Sequence, residues 1–315
     1  MIPAFPNFKK IELSDRADIE DITRKFAPYS DFNFTSLWSW DTEKQARISQ
    51  LNGNLIVRFT DYQTHQLFYS FLGNSQVSET AKALLHLSEK EGLETKLRLV
   101  PNDSIIGLND TFSVIEDRDH FDYVYDLTKL RDYKGNSLEL HRRANNKFIH
   151  NNPSIISKEV NINDADIQSS IIKVIENWRL NKIAAGKDVK AEHEMAAVKR
   201  SFVAAKQDSN MVALGIYNDD LMIAFAINEL LYSGIAINHF IKADTKYLGI
   251  FSYLMRENAN LLVSHQRTYL NFEQDLGLPG LRQSKGTFRP IYFLKKYAVK
   301  FARNYQIDNG KGSEV

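Results

Sequence analysis

Hydrophobic positions recur along this chain with two different periods, and the changes of period mark its elements. Over residues 15–26 the apolar positions Ile19, Ile22 and Phe26 fall three to four residues apart, which predicts a helix with one buried stripe. Residues 54–60 and 66–72 alternate instead and predict a hairpin of strands, followed by a helix over 80–91 and a strand over 96–100. Leu140, Ala144 and Phe148 recur every fourth residue and predict the buried stripe of a further helix. Residues 164–181 and 192–207 predict two longer helices, with Ile171, Ile172, Ile175, Trp178 and Leu180, and Met195, Val198 and Phe202, turned to a core. Residues 212–217, 221–230 and 235–241 then predict three consecutive strands joined through Asn218-Asp219-Asp220 and Ser233-Gly234, with a helix over 247–263 after them. Strands and helices are interleaved throughout, so the expected class is α/β.

Polar groups enter the apolar pattern most conspicuously at residues 269–285. On an extended segment Asn271, Glu273 and Asp275 share one side, because successive side chains of a strand point to opposite faces. Gly277, Pro279 and Gly280 then predict a turn that brings Arg282 and Lys285 back to the carboxylates. Two readings of that neighbourhood stand: a structural ion pair in which Arg282 satisfies Glu273 or Asp275, or a pocket in which carboxylates bind an amine or act as base while cations hold phosphate or an oxyanion.

A second change of character falls over residues 127–152. Lys129, Arg131, Lys134, Arg142, Arg143 and Lys147 are met there by only Asp132 and Glu139, so the helix carries either a solvated basic face or a phosphate contact. Net charge over all 315 residues is only +1, so polyanion binding would have to come from a local patch such as this one. The chain has no cysteine, which removes thiol nucleophiles, disulfides and thiolate metal sites together. Its eight histidines include no closely spaced pair, so no metal site is expected. No signal peptide and no apolar run of membrane-spanning length is visible, and the expected location is cytoplasmic.

The run Asn271-Phe272-Glu273-Gln274-Asp275-Leu276-Gly277-Leu278-Pro279-Gly280-Leu281-Arg282 resembles the C-terminal signature of the family typified by the catalytic domain of phosphatidylglycerol lysyltransferase. Phe121 to Leu127, with Leu130 and Lys134-Gly135, is similar to that family's central strand and the entry to its basic helix, and His141 to Phe148 resembles its Arg-x-x-Asn-x-x-Phe helix. Trp178, His239 to Ala243, Tyr247 and Gly249 fall where the family carries comparable residues, so the likeness runs from about residue 25 to residue 300. The resemblance implies two tandem GNAT-like units (acetyltransferase-like, mixed sheets flanked by helices), related to Fem-type aminoacyl transferases, here residues 1–125 and 126–315 with the site in the second. It implies transfer of an aminoacyl group from an aminoacyl-tRNA to a hydroxyl or amine acceptor, a phosphorylated or lipid molecule among the candidates, with no resident cofactor. The absence of a membrane segment departs from lipid-modifying relatives that join this domain to a membrane-embedded region.

Under that reading Glu273 or Asp275 binds the aminoacyl amine or takes a proton, and Arg282 or Lys285 holds phosphate or steadies the oxyanion. Asn271 faces the same cleft, Arg142, Arg143 and Lys147 meet phosphate, and His239 is a core residue or a proton shuttle. The alternatives are an N-acetyltransferase using acetyl-CoA and a non-catalytic relative that only binds tRNA or a metabolite. Acetyl-CoA enzymes of this fold keep small residues at the helix start that meets the pyrophosphate. Here Lys246, Gly249 and Phe251 occupy those places, and Phe251 is expected to crowd the pyrophosphate.

Overall fold

The computed structural model describes residues 1–186, 191–232 and 234–303. They pack into two compact units, each discontinuous in sequence: residues 10–46 with 119–294 (and Met1), and residues 2–9 with 47–118 and 295–303. Compactness therefore divides the chain differently from the single break expected near residue 125, because residues 10–46 leave the N-terminal part and pack with the larger unit.

The larger unit is built on a seven-stranded sheet in the order Tyr292–Leu294, Asp122–Asp126, Tyr269–Asn271, Ile235–Ala243, Leu221–Leu230, Met211–Asn218, Ile155–Val160. Alternation sorts its side chains to two faces. Leu214, Ile216, Ala224 and Ala226 pack with Leu254, Met255 and Leu262 of the helix Ile250–Ser264. Ala213, Phe225, Ile227 and Phe240 pack with Ile171, Val174, Val198 and Phe202 of the helices Ala165–Ala184 and Glu192–Ala205. The smaller unit holds the antiparallel strands Arg47–Leu51, Asn54–Thr60 and Leu67–Leu72, covered by the helix Val77–Lys90 through Ala81, Leu84 and Leu85. A second sheet there sets Lys296–Phe301 between Leu97–Pro101 and Phe112–Glu116.

Two features of the large sheet position the site. Tyr269–Asn271 runs parallel to Ile235–Ala243, but the two are paired only from Ile235 to Ile237, after which the chains part. The hairpin partner Leu221–Leu230 carries a register shift: Ile227 lies opposite Phe240 and Asn228 opposite Asn238, leaving His239 as an extra residue. Such a bulge re-aims a side chain. It is pinned by buried amides, with Asn238 Nδ2 donating to Asn228 Oδ1 (2.9 Å) and Asn228 Nδ2 to Asn258 Oδ1 (2.8 Å).

Three local expectations change. The signature strand ends at Asn271, and Pro279 opens a helix over Pro279–Thr287 in its first turn, so Gly280 is helical rather than part of a turn. Leu140 stands 78% exposed on the helix Glu139–Asn151. The packed stripe is instead His141, Ala144 and Phe148, at three- and four-residue spacing, which meets the start of helix Ile250–Ser264. The first of the two longer helices, expected to end at 181, runs on to Ala184, and residues 187–190 lie outside the described residues.

Candidate active site

Where the parallel strands part, Glu273 and His239 each lie two residues beyond the last paired position, Asn271 and Ile237. Glu273 has φ +54, a left-handed conformation uncommon for a residue with a side chain. It is clamped on both sides: its N–H donates to Asn271 Oδ1 (2.8 Å), its carbonyl accepts from Tyr123 N–H (3.1 Å), and Lys285 Nζ donates to the carbonyls of Phe272 and Gln274. The left-handed turn ends the alternation, and Glu273 and Asp275 consequently part company. Backbone strain held this firmly is characteristic of functional positions.

The Glu273 carboxylate turns to His239. Its Oε1 lies 3.4 Å from His239 Nδ1 and 3.4 Å from Ser36 Oγ, while His239 Nε2 lies 3.0 Å from Glu229 Oε2. Asn33, which caps the helix Phe34–Trp40 by accepting from Ser36 N–H, also donates Nδ2 to Glu229 Oε2 at 3.1 Å. Side-chain exposure is 5% at Glu229, 1% at His239 and 19% at Glu273, so one end of this row of charges reaches the surface. Burial alone would lower the His239 pKa, but hydrogen bonds to the two carboxylates outweigh it and push it up to about 9. Burial would likewise raise Glu229, yet His239 holds it below the usual carboxylate value. At neutral pH the row is therefore carboxylate, imidazolium, carboxylate, with a surplus negative charge at its exposed end.

Asp275 faces a different set of partners. With its side chain fully buried, it accepts from Tyr123 Oη (2.5 Å), from Gly277 N–H (2.9 Å) and from Arg282 Nε and Nη2 (2.9 and 2.8 Å). Burial would raise its pKa, but Arg282, Tyr123 and Gly277 pull it down to about 2. Arg282 completes a chain to Asp119 (2.6 Å), and the two carboxylates hold its pKa above the ordinary arginine value. Of the two carboxylates open to it in the sequence, Arg282 thus pairs with Asp275.

The other candidate residues fall in three places. Asn271 is buried and braces the segment, donating Nδ2 to Pro28 O (2.8 Å) and Asp122 Oδ2 (3.1 Å), while Asp122 also accepts from Ser30 N–H and Oγ. Lys285 is buried beneath the Glu273 turn, its ammonium over the Phe272 ring at 4.9 Å. Arg142 donates to the Tyr133 carbonyl (3.0 Å), Arg143 pairs with Glu139 (2.5 Å), and Lys147 is exposed. Among the described residues, none of these three cations is hydrogen bonded or ion-paired to Glu273, Asp275 or Arg282. Nor does any group of three His, Asp or Glu among the described residues form a metal-binding arrangement.

Glu229, Ser36, Asn33 and Tyr123 complete the site without a signal in the sequence reading. One signal was available: Asn228-Glu229 and Asn238-His239 interrupt two apolar strands at similar distances from the turn between them, so hairpin pairing sets four polar residues side by side.

The start of helix Ile250–Ser264 is closed. A Cβ on Gly249 (φ +89) would lie 2.7 Å from the Ala144 carbonyl oxygen and 3.3 Å from Phe148 Cβ. Ser252 and Tyr253 N–H groups donate to the Gly249 carbonyl, and His141 Nδ1 lies 3.0 Å from Ser252 Oγ. Phe251, expected to crowd a pyrophosphate, packs against the core, 5.9 Å from the Phe288 ring. The element that closes on Gly249 is helix Glu139–Asn151, through the Ala144 carbonyl and Phe148.

Comparison with known proteins agrees with this architecture. The chain is 24% identical to a conserved protein of unknown function from Bacteroides thetaiotaomicron, whose crystal structure matches with a TM-score of 0.80 over 96% of this chain and 100% of that one. The C-terminal domain of a putative lysylphosphatidylglycerol synthetase from Agrobacterium fabrum matches with a TM-score of 0.63 at 12% identity, covering 91% and 92%. L-PGS from Bacillus licheniformis matches at 0.59 and 12%, covering 98% and 95%. These likenesses, and one to FemX at a TM-score of 0.54, 9% identity and 94% and 97% coverage, show a fold that this chain shares with those proteins. An uncharacterized protein of Mycoplasmoides gallisepticum is 26% identical over 185 residues, 56% of this chain and 55% of the relative, so the match spans about half the length of that curated relative. Residues 23–300 match the family described as phosphatidylglycerol lysyltransferase, C-terminal, and the chain belongs to that family.

Proposed function

We propose that this chain is an aminoacyltransferase that moves an aminoacyl group from an aminoacyl-tRNA ester to a hydroxyl or amine acceptor. The observation that carries the reading is Glu273: a carboxylate on a strained, clamped turn, backed by an imidazolium and exposed at one edge. Oriented by the His239 and Ser36 hydrogen bonds, its carboxylate is suited to seat the α-ammonium of an aminoacyl group. Fixing that ammonium orients the adjacent ester carbonyl for attack. The acceptor oxygen or nitrogen then adds to the carbonyl carbon, and the tetrahedral intermediate collapses with release of the tRNA 3′-hydroxyl, which takes the proton the acceptor loses. Arg282, at 39% side-chain exposure, is a partly exposed cation of the same segment for a phosphate or the developing oxyanion, with Asp275 setting its direction. Arg142, Arg143 and Lys147 supply a basic face for tRNA phosphate.

The closed start of helix Ile250–Ser264 favours this donor over acetyl-CoA, because backbone N–H groups engaged within the chain are not free to meet a pyrophosphate. The acceptor named in the family's description, phosphatidylglycerol, and the lysyl group it receives are the first pair to test. Radiolabelled lysyl-tRNA incubated with phosphatidylglycerol vesicles is expected to yield labelled lipid, or labelled product with another hydroxyl or amine acceptor, and Glu273→Gln is expected to abolish transfer while changing stability little. In parallel, aminoacyl-adenosine analogues should raise the melting temperature and coenzyme A compounds should not. Stabilisation by acetyl-CoA alone would replace the reading with an N-acetyltransferase, and analogue binding without any transfer would leave a binding protein.

A further inference from the structure

The imidazole at the centre of the charge row is sequestered, yet it touches the one carboxylate that reaches the surface. His239 is bonded at both ring nitrogens, at 3.0 Å to Glu229 and at the longer 3.4 Å to Glu273. Its hold on the second ring proton is therefore weakest on the side facing outward. We propose that Glu229 and His239 form a buried proton store behind Glu273, so that seating an ammonium group on the Glu273 carboxylate expels the His239 proton. This rests on the reading of Glu273 as the ammonium acceptor and adds a coupled proton to it.

The charge arithmetic of the site supports the coupling. From strand Leu221–Leu230 His239 meets Glu229, from the turn after Tyr269–Asn271 it meets Glu273, and from helix Phe34–Trp40 it meets only the hydroxyl of Ser36 (3.2 Å). Behind Glu229 stands Arg16, itself paired to Asp208 (2.7 Å) and Glu20 (3.1 Å), so part of the Glu229 charge is already answered. With two carboxylates the imidazole stays protonated, its pKa pushed up to about 9. A substrate ammonium draws on the same Glu273 oxygens and adds a like charge beside a ring excluded from water, and both effects favour the neutral imidazole. The neutral ring keeps one N–H, which Glu229 Oε2 can accept at Nε2, leaving Nδ1 to accept from Ser36 Oγ. The proton leaves to solvent, no other bond changes, and the net charge of the row with its bound ammonium returns to that of the empty site. Glu229 is on this account a positioning residue: it fixes the tautomer and the charge of His239 without touching substrate.

The test uses an amino-acid amide, L-lysinamide or L-alaninamide, which presents an α-ammonium and no carboxylate. Calorimetric titration at pH 7 in buffers of different ionisation enthalpy counts the protons exchanged on binding. Release of about half a proton or more is expected, and the sign is diagnostic: an α-amino group of pKa about 8 would by itself take up a fraction of a proton on binding as the cation. Independently of any ligand, the His239 ring signals of the parent protein should titrate near pH 9, at least two pH units above an ordinary histidine. In Glu229→Gln the midpoint should fall below that of the parent, and amide binding should no longer release a proton. Should that variant fail to fold, the parent measurements decide alone. A His239 midpoint near 6.5, or binding with no proton release, overturns the proton store and leaves Glu273 as the ammonium site. An elevated midpoint with no binding of either amide instead removes Glu273 as the ammonium acceptor, and this proposal with it.

Discussion

Asp275→Asn removes one charge and almost no volume, and the structure says what that charge is worth. Asp275 has a pKa of about 2 against an ordinary 3.8. At about 1.4 kcal/mol for each tenfold change in proton affinity, the native surroundings favour its ionised form by about 2.5 kcal/mol. The substitution also leaves the Arg282 guanidinium with Asp119 as its remaining carboxylate partner, and in either orientation the amide N–H₂ would face an Arg282 N–H, because Nε donates to Oδ2 and Nη2 to Oδ1. Loss of one partner of a fully buried pair costs about 3 to 5 kcal/mol, and the partial exposure of Arg282 lowers that figure. A loss of about 2 to 4 kcal/mol is therefore expected by urea unfolding at pH 7, or a fall of about 5 to 15 °C in melting temperature for a unit of this size. The sign of the pH dependence follows from the lowered pKa: the contribution is complete above the unfolded value near 4 and disappears as pH falls through about 2. The gap between parent and variant should accordingly close in acid. A loss below 1 kcal/mol at pH 7 together with lost ligand binding would refute the structural assignment and make Asp275 a substrate contact.

Gly249→Ala should cost more than about 1 kcal/mol by thermal or chemical unfolding, since the left-handed backbone disfavours a side chain and the Ala144 carbonyl occupies its space. Lys285→Met should weaken amide binding as measured by calorimetry, because the carbonyls on either side of Glu273 lose the ammonium that fixes them. Stability held by the His239 ion pairs is fully present below pH 6.5 and lost as pH rises through about 9, so unfolding free energies of parent and His239→Gln should converge in alkaline solution. Asn238→Ala should destabilise by about 1 kcal/mol through loss of the Asn238 Nδ2 donation to Asn228 Oδ1, which keeps Asn258 Nδ2 as its other donor, and a change within experimental error would remove Asn238 as the pin of the bulge.

Elements whose periodicity is carried by many residues, such as Leu221–Leu230 and Val77–Lys90, were legible within a few positions. Asn271, Lys285 and His239, which touch Glu273 or the turn that carries it, and the Asp275–Arg282 pair beside them were singled out by the sequence, though their division into two clusters was not. That division depends on the positive φ of Glu273, which alternation does not predict and which is enforced by Tyr123 and Lys285 from elsewhere in the chain. Ser36 and Asn33 reach the site across some two hundred residues, from a short helix and its N-terminal cap, whose sequence is mostly aromatic and small residues. Leu140 illustrates the opposite error: a residue in phase with a stripe stays exposed when no partner covers that turn.

The bulge that frees His239 has a consequence for how this protein can change. Neighbouring positions on one strand carry separate burdens, Asn238 securing the sheet and His239 standing outside the regular ladder. Replacing the imidazole alters the charge of the row without asking the sheet to re-register, whereas replacing its neighbour disturbs the strand pairing itself. A substitution at position 239 is thus expected to act on the charge of the row, and one at position 238 on the pairing of the strands.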